Sequence, residues 1–359
     1  MKLIRNFILI ILTTLIVVLL TEITLRVIDP LDKQDKAKIY MKINYPNDYN
    51  YKNLERKPKV FSHPYLNYSN TPFFKNSSGI IQHDQNGFRE NENTKNNHLN
   101  KIIVLGGSIT YGSGVDKPED TWANILQKKL NSENYEFDVV NAGLEFATSA
   151  ELLTLYSLKL THFNHKILLI HLGANENLPI IFPNFDKTYI HVRGQSGNIA
   201  GELEKKLLKN SYIFKILISK ITRENYFGTY KGRPYSYLLL NKDKVTARTK
   251  NLDFYQPFKN NLRNIIRIAK SYGVKVVIIP ADINKKFYRK DLEYIKQGLS
   301  YYHKNIRKII KEISLSENVY LHENDIDENF FVDNVHVNLD GQKQKAFQIF
   351  SFLKENVLD

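Results

Sequence analysis

The sequence predicts an α/β protein built on a parallel sheet with helices on both faces. Three observations carry this. Short, near-continuous Val/Ile/Leu runs recur along the chain, amphipathic helical segments alternate with them, and glycine or polar residues close the runs. The 359 residues, 42% of them hydrophobic, are enough for two domains or for one large α/β domain with an insertion, and the composition excludes wholesale disorder. With no cysteine, disulfides, Cys-ligated zinc, iron–sulfur clusters and thiol nucleophiles are excluded.

The elements follow in order from Lys101. Residues 101–105 (KIIVL) read as the first strand and TWANILQKKL as an amphipathic helix. Residues 137–140 (FDVV) are a second strand and SAELLTLYSLKL a second helix, and 166–172 (KILLIHL) is a third strand. Helical spacing returns over 260–272, a fourth strand follows at 274–280 (VKVVIIP), and a long helix occupies 291–313. A fifth strand, 318–321 (NVYL), and a helix over 341–353 close the chain, with His322 read as a core residue of that strand. In such a sheet, ligands bind at the carboxyl ends of the strands.

Residues 1–29 read as a signal anchor. Lys2 and Arg5 precede an uncharged run over 6–21, and extension to Leu25 reaches membrane length by including Glu22, which an i,i+4 pair with Arg26 accommodates. No A-x-A-like cleavage site follows the run, so an uncleaved anchor is expected over a cleaved signal peptide. The flanking charges place the N-terminus in the cytoplasm and export the remainder, as a single-pass protein of the cytoplasmic membrane. Residues 30–100 form a polar arm whose Phe and Tyr content points to packing on the core. An insertion over 177–250 holds 14 Lys/Arg against 5 Asp/Glu, nine of the fourteen net positive charges. Within it, 202–224 reads as one basic amphipathic helix with Leu203, Leu207, Phe214, Leu217 and Ile221 near one face.

Four segments at strand ends carry residues with a catalytic use. In GGSITYG (106–112), Ser108 follows the first strand, where glycines permit a sharp turn; taken alone, a serine there is as readily a helix N-cap. Neither phosphate-loop pattern, G-x-x-x-x-G-K-[ST] or G-x-G-x-x-G, is present. NAG (141–143) ends the second strand, where Gly143 can present an unobstructed N–H or merely form a turn. GANE (173–176) places the Asn175 amide at the third strand end. The last loop, VDNVHVN (332–338), offers His336 as a base for Ser108 and Asp333, three residues earlier, to orient it; Asp325 and Asp327 are alternatives for that third position. No H-E-x-x-H or dense carboxylate cluster occurs, so neither a metal nor another cofactor is expected.

Taken together, GGSITYG, NAG, GANE and DNVH resemble the four motifs of the SGNH hydrolases, also called GDSL esterases/lipases, over roughly residues 86–355. The NGFR approach and HVNLDGQ exit are similar to those of bacterial cell-envelope members. The resemblance implies a flavodoxin-like three-layer α/β/α sandwich with Ser108 as nucleophile, His336 as base and Asp333 as its orienter. It also implies an oxyanion hole from Ser108, Gly143 and Asn175, and a hydrolase domain over 101–359. Gly107 replaces the aspartate of the GDS signature and Glu176 the aspartate of G-x-N-D.

The expected substrate is an acyl ester, first an acetyl ester of a cell-envelope polysaccharide. An O-acyltransferase on such glycans, a lysophospholipase or thioesterase, and a non-catalytic glycan-assembly protein are the alternatives. Tyr226, Tyr230, Tyr235 and Tyr237 around Arg233 offer a grip for anionic glycans or head groups, or simply a solvated basic face. Nucleic acid is not an expected partner, since no recognition motif occurs and the domain is exported. The acyl group, the acceptor and the oligomeric state are not legible.

Overall fold

The computed structural model describes residues 2–31, 39, 59–63, 65–91, 94, 100–182, 185–189, 202–221, 242–284 and 296–358. Helix α1 (Lys2–Ile28) is followed by an antiparallel hairpin of β1 (Val60–His63) and β2 (Asn67–Asn70). Strand β3 (Lys101–Gly106) leads through the single-turn helix α2 (Ser108–Tyr111) to α3 (Trp122–Ser132). Next come β4 (Asp138–Gly143), α4 (Ser149–Leu158), β5 (Ile167–Leu172) and α5 (Asn177–Ile181). The insertion contributes α6 (Glu202–Asn210), α7 (Tyr212–Ile221) and α8 (Lys242–Lys250). The domain closes with α9 (Gln256–Ser271), β6 (Lys275–Pro280), α10 (Lys296–Ser316), β7 (Tyr320–Leu321) and α11 (Leu339–Asn356).

Strands β3 to β7 form one parallel sheet in the order β4-β3-β5-β6-β7, the doubly wound order in which the chain reverses direction beside its first strand. Period-two alternation sorts each strand between two cores. Ile103, Leu105, Leu168, Ile170, Val276 and Ile278 meet α4, α9 and α10 on one face. On the other face, Ile102, Val104, Leu169 and Val277 meet α3 and α11 through Trp122, Leu126, Ile349 and Leu353. This is the three-layer sandwich that the motifs imply, with five parallel strands.

Residues 59–91 lie along the free edge of β4. The Arg89 N–H donates to the Asn141 carbonyl at 3.0 Å, and the Asn70 amide donates to the Gly143 carbonyl at 3.0 Å. Val60, Leu66, Tyr68 and Phe88 are buried in the first core, so this edge strand is both paired and covered. Two expectations need correction. His322 lies just past β7 and is only half-buried, with Nε2 on the Asn324 side chain; among the described residues the fully buried histidines are His83 and His171. The insertion helix is also not continuous. It breaks at Ser211, buries Leu208, and leaves Leu203, Leu207 and Leu217 exposed. Tyr226, Tyr230, Arg233, Tyr235 and Tyr237 lie outside the described residues, as does 291–295 of the predicted long helix.

Candidate active site

The carboxyl ends of β3, β4 and β5 and the loop before α11 meet at one rim. Gly107 caps α2, so Ser108 occupies its first turn, where backbone N–H groups have no intrahelical acceptor. Ser108 Oγ lies 2.8 Å from His336 Nε2. On the other side of the ring, His336 Nδ1 lies 2.6 Å from Asp333 Oδ2. The second oxygen, Asp333 Oδ1, accepts the backbone N–H groups of Val335 and His336, each at 2.8 Å, which folds the loop so that its histidine turns toward Ser108. Burial opposes ionisation of Asp333, but the His336 ring and these two N–H groups outweigh it and hold the carboxyl below its usual range. The loop is fixed from both flanks. Asn284, after β6, donates its N–H to the Asn334 carbonyl at 2.9 Å, and Asn338 caps α11 by accepting from the Gly341 N–H. Neither Asp325 nor Asp327 substitutes for Asp333: the Asp325 N–H is held by Gln348, and Asp327 caps the turn 328–330.

Asn175 stands beside this pair. Its Nδ2 donates to the Ala147 carbonyl at 2.9 Å, which uses one of its two amide hydrogens and aims the group across the rim. A Cβ at position 107 would fall 2.8 Å from that nitrogen, so the glycine that replaces the signature aspartate permits this close approach. Gly143 does not meet its expected role. Its N–H donates to Asn141 Oδ1 at 3.0 Å within the strand, while Asn141 Nδ2 donates to the Thr110 carbonyl. The glycine is instead needed for packing, because a Cβ there would lie 2.3 Å from the Tyr111 nitrogen. The backbone reaching the rim from this strand is that of residues 145–147, where Phe146 holds a left-handed φ of 62° that a side chain rarely adopts.

One carboxylate at the rim is not named by the motifs. Glu145 pairs with Lys59 at 2.7 Å and accepts the Ser113 hydroxyl at 2.6 Å. Burial raises its pKa, but Lys59, Ser113 and the charge of His336 reverse the balance and hold it low. It is therefore a second negative charge near the imidazole. Only its placement among apolar neighbours in NAGLEFA could have signalled it. Behind the Ser108 turn, Arg89 Nη1 donates to the Tyr111 hydroxyl at 2.9 Å, and Tyr111 contacts His83 Nε2 at 2.9 Å. Burial, with Lys59 and Arg89 nearby, depresses the His83 pKa to about 3 despite its bond to Thr71, so the ring is neutral.

Glu176, the other departure from the signature, is fully buried and ties the Asn175 loop to the start of α4. It accepts the Ser149 N–H and, at 3.0 Å, the Tyr189 hydroxyl. Burial pushes its pKa from 4.5 up to about 7, against the pull of these hydrogen bonds and with a contribution from Glu151. Between those values the folded chain holds a proton that the unfolded chain has lost, so this group makes stability fall as pH rises through the window. Glu176→Gln should flatten that slope, which is on the order of 3 kcal/mol across the window. Urea unfolding of both proteins at about pH 4.5 and about pH 8 measures it; an unchanged slope contradicts the assignment.

With fold and rim in place, comparison with known proteins assigns the family. A model of the GDSL-like lipase/acylhydrolase family matches residues 104–344, and the chain belongs to that family. Esterase TesA of Pseudomonas aeruginosa is 35% identical over 77 residues, 21% of this chain; the chain spans only 38% of the length of that curated relative. Among solved structures, esterase EstA from Pseudoalteromonas sp. is 16% identical, with a TM-score of 0.43 over 72% of this chain and 100% of its own. A crystal structure of TesA is 17% identical, with a TM-score of 0.41 over 71% and 98% of the two chains. The acetyl xylan esterase AlAXEase is 16% identical, with a TM-score of 0.40 over 70% and 99%.

Proposed function

We propose that this chain hydrolyses short acyl esters, acetyl esters of a cell-envelope polysaccharide first among them, with Ser108 as nucleophile. The observation that carries the reading is the line of contacts from Ser108 Oγ through the two nitrogens of His336 to Asp333. Ser108 Oγ forms a bond to the ester carbonyl carbon as its proton passes to His336 Nε2. The oxyanion is met by the Ser108 N–H and the Asn175 amide hydrogen not given to Ala147. Collapse expels the alcohol, which takes the proton back from His336. Water, deprotonated by the same ring, then releases the acid and restores Ser108.

Support for a small acyl group comes from the space beside Gly107 and Asn175. Ile109, Ala147, Leu152 and Leu172 close around it, so the space is small. Support for an envelope substrate comes from residues 4–28, a helix long and apolar enough to cross a bilayer, whose most apolar stretch is not buried in the protein. It is read as a single-pass anchor with its N-terminus inside and the hydrolase domain over 101–359 outside. Residues 30–100 are read as an arm on that domain.

Full-length protein in detergent should turn over p-nitrophenyl acetate and acetylated sugars much faster than long-chain esters. A preference for long acyl chains contradicts the acetyl assignment. Asn175→Ala should lower kcat by about 10²–10³-fold with little change in KM, since the amide acts on charge that exists only in the transition state. A loss confined to KM contradicts that role.

A further inference from the structure

The last two turns of α1 are built into the insertion. Helix α7 starts with N–H groups that its own turns leave unpaired. Glu22 of α1 takes two of them, accepting Tyr212 N–H at 2.7 Å and Ile213 N–H at 3.1 Å. Its carboxylate also accepts the Ser211 hydroxyl at 3.1 Å, while Ser211 Oγ accepts the Phe214 N–H. Arg26, paired to Glu22 at 2.9 Å, donates to the Asn210 carbonyl at the end of α6. The Tyr212 hydroxyl donates to Asp29 at 3.2 Å. Leu31 and Ile39, just beyond α1, are buried with Leu208 against the apolar side of α7. One end of α6 and one of α7 are thus completed by residues as far as 191 positions away, all at the exit of the apolar helix.

That contact sets a depth. Measured from the middle of the uncharged run 6–21, Glu22 is about 13 Å along the axis, and half a hydrocarbon core is about 15 Å. The start of α7 therefore lies at the boundary between acyl chains and head groups. Around that point the insertion exposes Leu203 and Leu207 one turn apart on α6 and Leu217 on α7, 73%, 39% and 45% exposed. Lys206 and Lys209 are exposed on the same short helix, long enough to carry their ammonium groups outward to lipid phosphate.

We infer that α6 and α7 form a membrane-interface element, capped by Glu22, which sets its exposed leucines into the acyl boundary of an anionic phospholipid bilayer and its lysines among the phosphates. The inference rests on reading α1 as a span and adds that the span is retained as part of the folded protein. Nine of the fourteen net positive charges lie in this insertion, complementary to such a surface. A second copy of the chain is the competing occupant, and the test separates the two.

The chain has no cysteine, so Leu217→Cys and Leu203→Cys each give a single labelling site, with Leu315→Cys on the exposed face of α10 as the aqueous control. Full-length variants carrying an environment-sensitive dye are reconstituted in phosphatidylcholine–phosphatidylglycerol vesicles. At 217 and 203 the expected result is a blue shift and loss of emission with shallow nitroxide-labelled lipid, neither of which occurs at 315. Glu22→Ala should reverse the shift at 217 while the protein still floats with vesicles. Three results overturn the inference. Water-like emission at 217 and 203 in protein that floats removes the interface but leaves the anchor standing. A blue shift that follows protein concentration and ignores lipid nitroxide assigns the face to a second copy. Failure to float, or a mature protein lacking residues 1–22 by mass, removes the anchor and the interface together.

Discussion

Replacing Ser108 with alanine is expected to lower kcat/KM on a short-chain ester by about 10⁴–10⁶-fold, while leaving the fold intact. The hydroxyl is half-exposed at the rim and meets His336 Nε2, so its loss strands no buried group. What remains is oxyanion stabilisation and substrate positioning, which hold a general-base reaction with water far below the covalent route. Unchanged thermal unfolding beside collapsed turnover is the expected pair of measurements. Turnover within a few-fold of wild type removes Ser108 as nucleophile.

Asp333→Asn should cost nearly as much, about 10⁴-fold in kcat. The substitution keeps an oxygen for the Val335 and His336 N–H groups, so the loop retains its shape. It places an NH₂ against His336 Nδ1, where a carboxylate oxygen now sits at 2.6 Å. That amide donates, so Nδ1 must accept and the ring proton moves to Nε2, where it can no longer receive the proton of Ser108. Asp333→Ala removes the orienting charge but leaves both tautomers open, so it should be less damaging than the isostere. An Asn variant more active than the Ala variant contradicts the tautomer argument. Glu145 provides residual charge near the imidazole in both, and either loss should deepen when Glu145→Gln is added.

The sheet was legible because strands buried on both faces leave uninterrupted Val/Ile/Leu runs, and each run from Lys101 onward became a strand. That Ser108, Asn175, Asp333 and His336 would meet at one rim was legible because the loops at the carboxyl ends of a doubly wound sheet converge there. Gly143 misled for a local reason. NAG marks a strand end, but the pattern cannot show that the Asn141 side chain two residues earlier takes the glycine N–H. Glu145 and Glu176 were illegible because their significance lies in partners distant in sequence, Lys59 and Tyr189. In the insertion, helical periodicity located apolar positions without showing what they face. Ser211 read as an ordinary polar position within a helix, whereas it ends one helix and caps the next because Glu22 stands beside it.

Covalent trapping tests the central claim most directly. A fluorophosphonate probe reacts with an activated serine, and peptide mapping locates the adduct. A single adduct on Ser108 is expected, lost in Ser108→Ala and formed far more slowly in Asp333→Asn. An active preparation that leaves Ser108 unmodified, or carries its adduct on another residue, contradicts it.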